Sequence, residues 1–277
     1  MSDAGFYTCM RDAEGRERFF ATESTRGPWS VDHQHGGPPA ALLARAIERL
    51  ALAQPELGRR FISRITIELL RPIPIAAPLE LELEVLQQGR QVDRIAAALV
   101  SGDQQLAVAL ALRVRVAELA LPRPHTPAPA PAELPAPEAS RPYEFPFFVH
   151  ERGYQRAIEV RIAGGEPGSG AMAAWLRPRI PLLVPDERGA EPTSPLQRLL
   201  ICADAGGGVG AGLDVATFSF VNPDLSVHLH RLPVDEWLLM DARSASEPLG
   251  LGLCRTRLLD RVGELGIALQ SQVIARR

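Results

Sequence analysis

The chain has 277 residues, 46% of them hydrophobic and 23% charged, with a net charge of −3, a composition that excludes disordered and fibrous classes. All 30 basic residues are arginine, so a lysine Schiff base and a lysine-containing phosphate loop are excluded, and the slightly acidic balance argues against broad nucleic-acid binding. No apolar run approaches the ~20 residues of a membrane-spanning helix, Met1 to Asp12 lacks a hydrophobic signal core, and Cys9, Cys202 and Cys254 lie too far apart for a zinc knuckle; the expectation is a cytoplasmic chain with no membrane span, nucleic-acid partner, metal or cofactor.

Phe6 to Thr22 reads as a polar hairpin. Asp32-His33-Gln34-His35 gathers two histidines and a carboxylate, but a metal wants three or four ligands, so a loop at a pocket mouth is expected, with His35 as a polar contact. Gly36-Gly37-Pro38-Pro39 punctuates the chain, and Ala40 to Leu52 reads as a helix, since proline in a first turn loses no needed N–H. That helix is apolar almost all round and must be wrapped by other elements. Phe61 to Leu70, Leu79 to Gln87 and Gln91 to Val116 read as strands, the last turned at Gly102-Asp103, giving a four-strand antiparallel meander. Leu79 to Val85 alternates strictly, as a strand with one face in water does.

From Glu118 to about Phe145 the sequence is rich in proline, alanine and glutamate, a composition that favours extended conformation and reads as a linker. Beyond it the first half recurs. Pro38 matches Pro195, Arg71-Pro72 matches Arg231-Leu232-Pro233, and Leu106 to Leu110 matches Leu265 to Leu269, at offsets of 157, 160 and 159 along the sequence. The expected units are 1–117, a linker over 118–146, and 147–277. Each would be a curved sheet around one apolar helix with an edge wanting a partner, and the two pair edge to edge within the chain. Cys202 and Cys254 lie in apolar runs and read as core residues. On the last strand Leu265, Ile267, Leu269 and Val273 are expected on one face, with Gln270 and Gln272 on the other.

A long apolar helix wrapped by an antiparallel sheet, present twice, resembles the α+β double hotdog fold. In detail the chain is similar to the acyl-CoA thioesterase II family and its thioesterase-like relatives. His35-Gly36-Gly37 resembles the Phe/His-Gly-Gly that opens the family's first helix, and Leu70-Arg71-Pro72 resembles its Phe-Leu-Arg-Pro strand end. Asp224 to Arg231 with Asp235-Glu236-Trp237-Leu238-Leu239 resembles its Asp-His-Ser-x-Trp-Phe-His-Arg and Asp-Glu-Trp-Leu-Leu stretches. The resemblance implies an enzyme that hydrolyses acyl-CoA thioesters by activating water, with Asp204, Asn222 and Gln272 at the catalytic positions. Asparagine stands at 222 where the family has threonine; it still donates and accepts hydrogen bonds.

Hydrolysis needs a water held in line, a group to take its proton, and donors for the oxyanion. The expected substrate contacts are His35, Gly36, Gly37 and His228, with Arg71, Arg90, Arg94 or Arg231 meeting CoA phosphates. A low aromatic content of 5% suggests an aliphatic pocket. Two alternatives stay open: a catalytically weak or silent acyl-CoA or lipid binder, and, on Val221-Asn222-Pro223, an enoyl-CoA hydratase. No Gly-x-Ser-x-Gly supports a serine hydrolase. Further assembly into a homo-oligomer, dimer or higher, is expected.

Overall fold

The computed structural model describes residues 4–50, 58–121, 134–148 and 150–277. The chain opens on the expected hairpin, β1 (Tyr7–Arg11) and β2 (Glu17–Ala21). Helix α1 (Gly37–Arg49) follows, with Pro38 and Pro39 in its first turn, and it is buried without a break from Gly37 to Ile47. An apolar stripe this wide is stable only when enclosed. Arg45, the one charge inside it, is fully paired: Nη1 donates to Glu17 and Nε to Glu191, each at 2.6 Å.

Four strands come next: β3 (Arg60–Leu69), β4 (Glu80–Gln88), β5 (Val92–Ser101) and β6 (Gln104–Arg115). Gly102 turns β5 into β6 with φ of 60°, as its sequence predicts. The strands are not a simple meander. β4, β5 and β6 follow one another, but β3 pairs with β6 and leaves its other edge free for the second half.

Part of the expected linker is packed against the sheet. Residues 122–133 of the proline-rich stretch lie outside the described residues. From 134 onward the chain is packed: the Trp175 indole donates to Pro135 O at 2.8 Å, and β7 (Arg141–Pro142) joins the sheet edge. Then come α2 (Tyr154–Ala157), β8 (Ile158–Gly165), β9 (Ala171–Pro178), α3 (Pro195–Ala203), α4 (Gly206–Val209), β10 (Phe218–Val221), β11 (Asp224–Leu229), β12 (Leu238–Glu247), β13 (Leu251–Leu259) and β14 (Glu264–Arg276). Ser194 and Gln197 form a capping box at the start of α3.

Among the described residues the large sheet is antiparallel, in the order β4-β5-β6-β3-β11-β14-β13-β12-β9-β8-β7. The order β4-β5-β6-β3 is repeated, mirrored, as β11-β14-β13-β12, so the sequence repeat is a repeat of strand order. β3 and β11 form the seam, Glu68 opposite Asp224 and Arg64 opposite His228. The two long helices lie antiparallel. Gly37 at the start of α1 touches Ile201 near the end of α3, and Glu48 near the end of α1 accepts hydrogen bonds from Ser194 and Gln197. One hydrophobic core, drawing on both helices and both sheet halves, joins them. The strand edges are not all sealed by the seam: β4 keeps an outer edge, where Leu83 and Val85, expected to have a buried side, are exposed, as is Leu86.

Candidate active site

The Val221-Asn222-Pro223 stretch is where the ladder is interrupted. β10 and β11 both pair with the same side of β14, at Val273–Arg276 and Gly266–Leu269, with a gap between them. Proline has no N–H to donate to a ladder, and Pro223 O instead accepts from the amide of Leu69 at 2.7 Å. Asp224 fills the gap by accepting from the amide of Ser271 at 2.7 Å. The break turns the Asn222 side chain toward α3, where Nδ2 donates to Asp204 Oδ1 at 2.8 Å and to Asp224 O at 3.1 Å.

Asp204 closes α3, and the run Ala205-Gly206-Gly207 lets the chain pass against β14. A Cβ on Gly206 would lie 2.7 Å from Gln270 Oε1, and one on Gly207 2.7 Å from Gln272 Nε2. The β14 side chains are phased by a bulge. Gly266, at φ 157°, faces Leu258 while the next β13 residue, Leu259, pairs with Glu264, which leaves Leu265 as the extra residue. Beyond it Ala268, Gln270 and Gln272 point inward, and Val273 is exposed. The face on which Gln270 and Gln272 lie is therefore buried, and Leu265 does not share the exposed face of Val273. Gln270, which sequence reasoning did not single out, is the tighter of the two. Its Oε1 accepts from the Gly207 amide at 3.0 Å, and its Nε2 donates to Asp204 O at 3.0 Å and Oδ1 at 3.3 Å.

From the other half come His35, Gly36 and Gly37. His35 Nδ1 lies 3.0 Å from Asp204 Oδ2. Its ring stacks on Tyr154 with centroids 3.7 Å apart and planes 2° from parallel, and the Tyr154 hydroxyl donates to Ile201 O at 2.7 Å. Gly36 is needed because a Cβ there would come within 2.8 Å of Asp204 Oδ2. Burial lowers the imidazole's proton affinity more than the Asp204 charge raises it, which favours the neutral ring.

His35, Gly36, Asp204, Asn222 and Gln272 thus converge on one cavity of about 420 Å³. Gly37 sits just behind it, its amide 3.2 Å from His35 Nδ1. His228 does not join them: it is exposed beside Arg64 on the seam, while its neighbours Val227 and Leu229 point into the core. Asp32 is exposed and Gln34 is bonded to Tyr7 and Pro74, while His33 lines the cavity with His35. Of the four arginines considered for phosphate contact, Arg71 lines the cavity mouth; Arg231 is committed to Asp260 and Arg94 to Gln87. Cys202 and Cys254 are buried in the core, and burial pushes both thiols up, away from a thiolate.

The cavity wall corrects the aliphatic expectation. Trp29, Phe145, Phe147, Phe148 and Phe220 line it, so four of the nine phenylalanines gather at one site. Trp29 and Phe147 stack at 5.7 Å, and Phe220 meets both edge-on. Three of these rings come from Phe145-Pro146-Phe147-Phe148, directly after the proline-rich stretch, where low overall aromatic content hid a local cluster.

Two family models match the chain: an acyl-CoA thioesterase N-terminal domain over residues 25–125 and an acyl-CoA thioesterase C-terminal domain over residues 122–275. None of the curated proteins matches it. Among solved structures, an acyl-CoA thioesterase II, TesB2, from Mycobacterium marinum is 17% identical, covers 97% of this chain and 96% of its own, and has a TM-score of 0.65. A tesB protein from Mycobacterium avium subsp. paratuberculosis is 21% identical over 96% of each chain at a TM-score of 0.65. A conserved protein with a hot dog fold from Alicyclobacillus acidocaldarius is 16% identical, over 98% of this chain and 96% of its own, at 0.70. At these identities the likeness is one of fold.

Proposed function

The chain belongs to the acyl-CoA thioesterase family, and we propose that it hydrolyses an acyl-CoA thioester to the free acid and CoA, on a double hotdog scaffold whose two halves meet at the β3–β11 seam. The observation that carries this is the convergence of Asp204, Asn222 and Gln272 with the start of α1 on one cavity. Backbone N–H groups at a helix start carry partial positive charge and suit a developing oxyanion, and α1 begins at the cavity wall, where Gly36 lines it. Asn222 orients Asp204, and Gln272 faces the same space without a bond that commits it among the described residues. The acyl group lies on the aromatic wall, and CoA leaves past Arg71.

The test is thiol release from a panel of acyl-CoAs, wild type against Asp204→Ala. The variant is expected to lose about 100-fold or more in kcat, the scale of losing assisted proton transfer from the water; equal rates would sink the assignment, and tight acyl-CoA binding without thiol release would favour a silent binder. Ring-on-ring contacts are worth about 0.5–1.5 kcal/mol each beyond area burial. A phenyl-bearing acyl-CoA is therefore expected to exceed octanoyl-CoA by about tenfold in kcat/KM, and Phe147→Ala to erase that margin.

A further inference from the structure

Asp204 is poorly placed to take the water's proton itself. Its side chain is 3% exposed, Oδ1 already accepts from Asn222 and Gln270, and Oδ2 faces His35. A carboxylate so occupied holds donors in place; it has little room left for a water. The group it holds most closely is an imidazole whose other nitrogen, Nε2, has no hydrogen-bond partner among the described residues and is not one of their sealed, unsatisfied atoms. His35 lines the cavity.

Two neighbours compete for Nδ1, and they decide the tautomer. The Gly37 amide lies 3.2 Å away, in position to donate, and Asp204 Oδ2 lies 3.0 Å away, in position to accept. A bare Nδ1 would satisfy Gly37 with a weak N–H···N bond but set its lone pair against a carboxylate oxygen in a buried site, where such repulsion is little screened. A protonated Nδ1 makes a charge-assisted bond to Asp204 instead. That bond outweighs the weak Gly37 N–H···N contact it displaces. The 2° stack on Tyr154, itself anchored to Ile201 O, holds the ring in the plane this requires.

We propose that His35 Nε2 is the base that takes the proton of the hydrolytic water, with Asp204 as the positioning carboxylate of a His35–Asp204 dyad; this rests on the thioesterase reading. The water oxygen bonds to the thioester carbon as its proton passes to Nε2, giving a tetrahedral oxyanion and an imidazolium held by Asp204. Collapse breaks the C–S bond, and the proton on Nε2 passes to the departing sulfur, so acid and thiol leave with the imidazole neutral again.

The dyad is tested with His35→Asn, whose amide can replace Nδ1–H toward Asp204 but offers no base at the Nε2 position. Its kcat is expected to fall about 100-fold or more with KM within a few-fold, and His35→Ala is expected to regain rate with added imidazole. Near wild-type kcat in His35→Asn would overturn the proposal. Nitrogen-15 spectra of the imidazole give a readout that needs no turnover: Nδ1–H with bare Nε2 in the wild type, switching to Nε2–H in Asp204→Asn. An active wild type carrying Nε2–H sinks the dyad alone. An inactive wild type carrying Nδ1–H sinks the thioesterase reading, and the proton transfer with it.

Discussion

Gly37 and Gly207 both bring backbone against a neighbour, and the neighbours differ. A Cβ on Gly37 would meet the Ile201 carbonyl at 2.3 Å, fixed backbone of the opposite helix; one on Gly207 would meet the movable amide end of Gln272. Gly37→Ala is therefore expected to lower stability by about 1–3 kcal/mol, the cost of overpacking a fixed site, seen as a fall in the urea midpoint. Gly207→Ala is expected to leave that midpoint within about 0.5 kcal/mol while lowering kcat by displacing Gln272. Residue types at this site were legible where chemistry and chain position coincide: Asp204 before a glycine run, Gly-Gly before a helix, glutamines on a shared strand face. His228 was not, because period-two alternation says which residues share a face but not which face is inward. Nor was the inward turn of Gln272, since the bulge at Gly266 resets the alternation, and nothing short of the fold brings Tyr154 under His35.

At the scale of elements, α1 shows what its sequence did and did not disclose. Its apolar girth predicted enclosure, and it is enclosed; its partners for Arg45, Glu17 and Glu191, come from β2 and the loop before α3, 28 and 146 residues away along the chain. Burial alone would raise the Glu17 carboxyl, but hydrogen bonds from Arg45 and Arg11 outweigh it and hold the pKa at about 2. A carboxyl depressed on folding stabilises the fold above its ordinary pKa near 4.5 and loses that contribution as pH falls from there toward 2. The amount is on the order of 3 kcal/mol. Arg45→Met leaves the half-buried Glu17 and Glu191 with only Arg11 and Arg49 and is expected to cost up to about 3 kcal/mol at pH 7. Urea unfolding at pH 7 and pH 3 is expected to show this gap narrowing in acid; a pH-independent gap would count against the network. The strands themselves were largely visible from alternation and Gly-Asp turns, whereas the pairing of β3 with β6 depends on the second half claiming its other edge.

For the molecule as a whole, repeated offsets near 159 foretold a repeated strand order, which the mirrored sheet displays. The outer β4 edge was not foreseen, since charges alternating with leucines look half-buried until the neighbouring layer is known. Leu83, Val85 and Leu86 lie exposed along that edge, an arrangement folded proteins usually blunt or cover. A solution mass of a dimer or higher is expected by sedimentation, with Leu83→Lys/Val85→Lys shifting it toward the monomer; a wild-type monomer at all concentrations would rule this out.

The first half no longer carries the polar set: at the offsets of 157, 160 and 159, Ile47 stands for Asp204, Ile62 for Asn222 and Arg113 for Gln272, and Arg113 now binds the Ile47 and Leu50 carbonyls. The second half, in turn, has Pro192-Thr193-Ser194 where the first has His35-Gly36-Gly37. Two copies of the second half could not rebuild the site, since side chains at 193 and 194 would press on the Asp204 carboxylate and the Ile201 carbonyl that two glycines now clear. The site therefore draws a different set from each repeat, the glycines and His35 from the first and the polar set from the second, so neither repeat alone holds it.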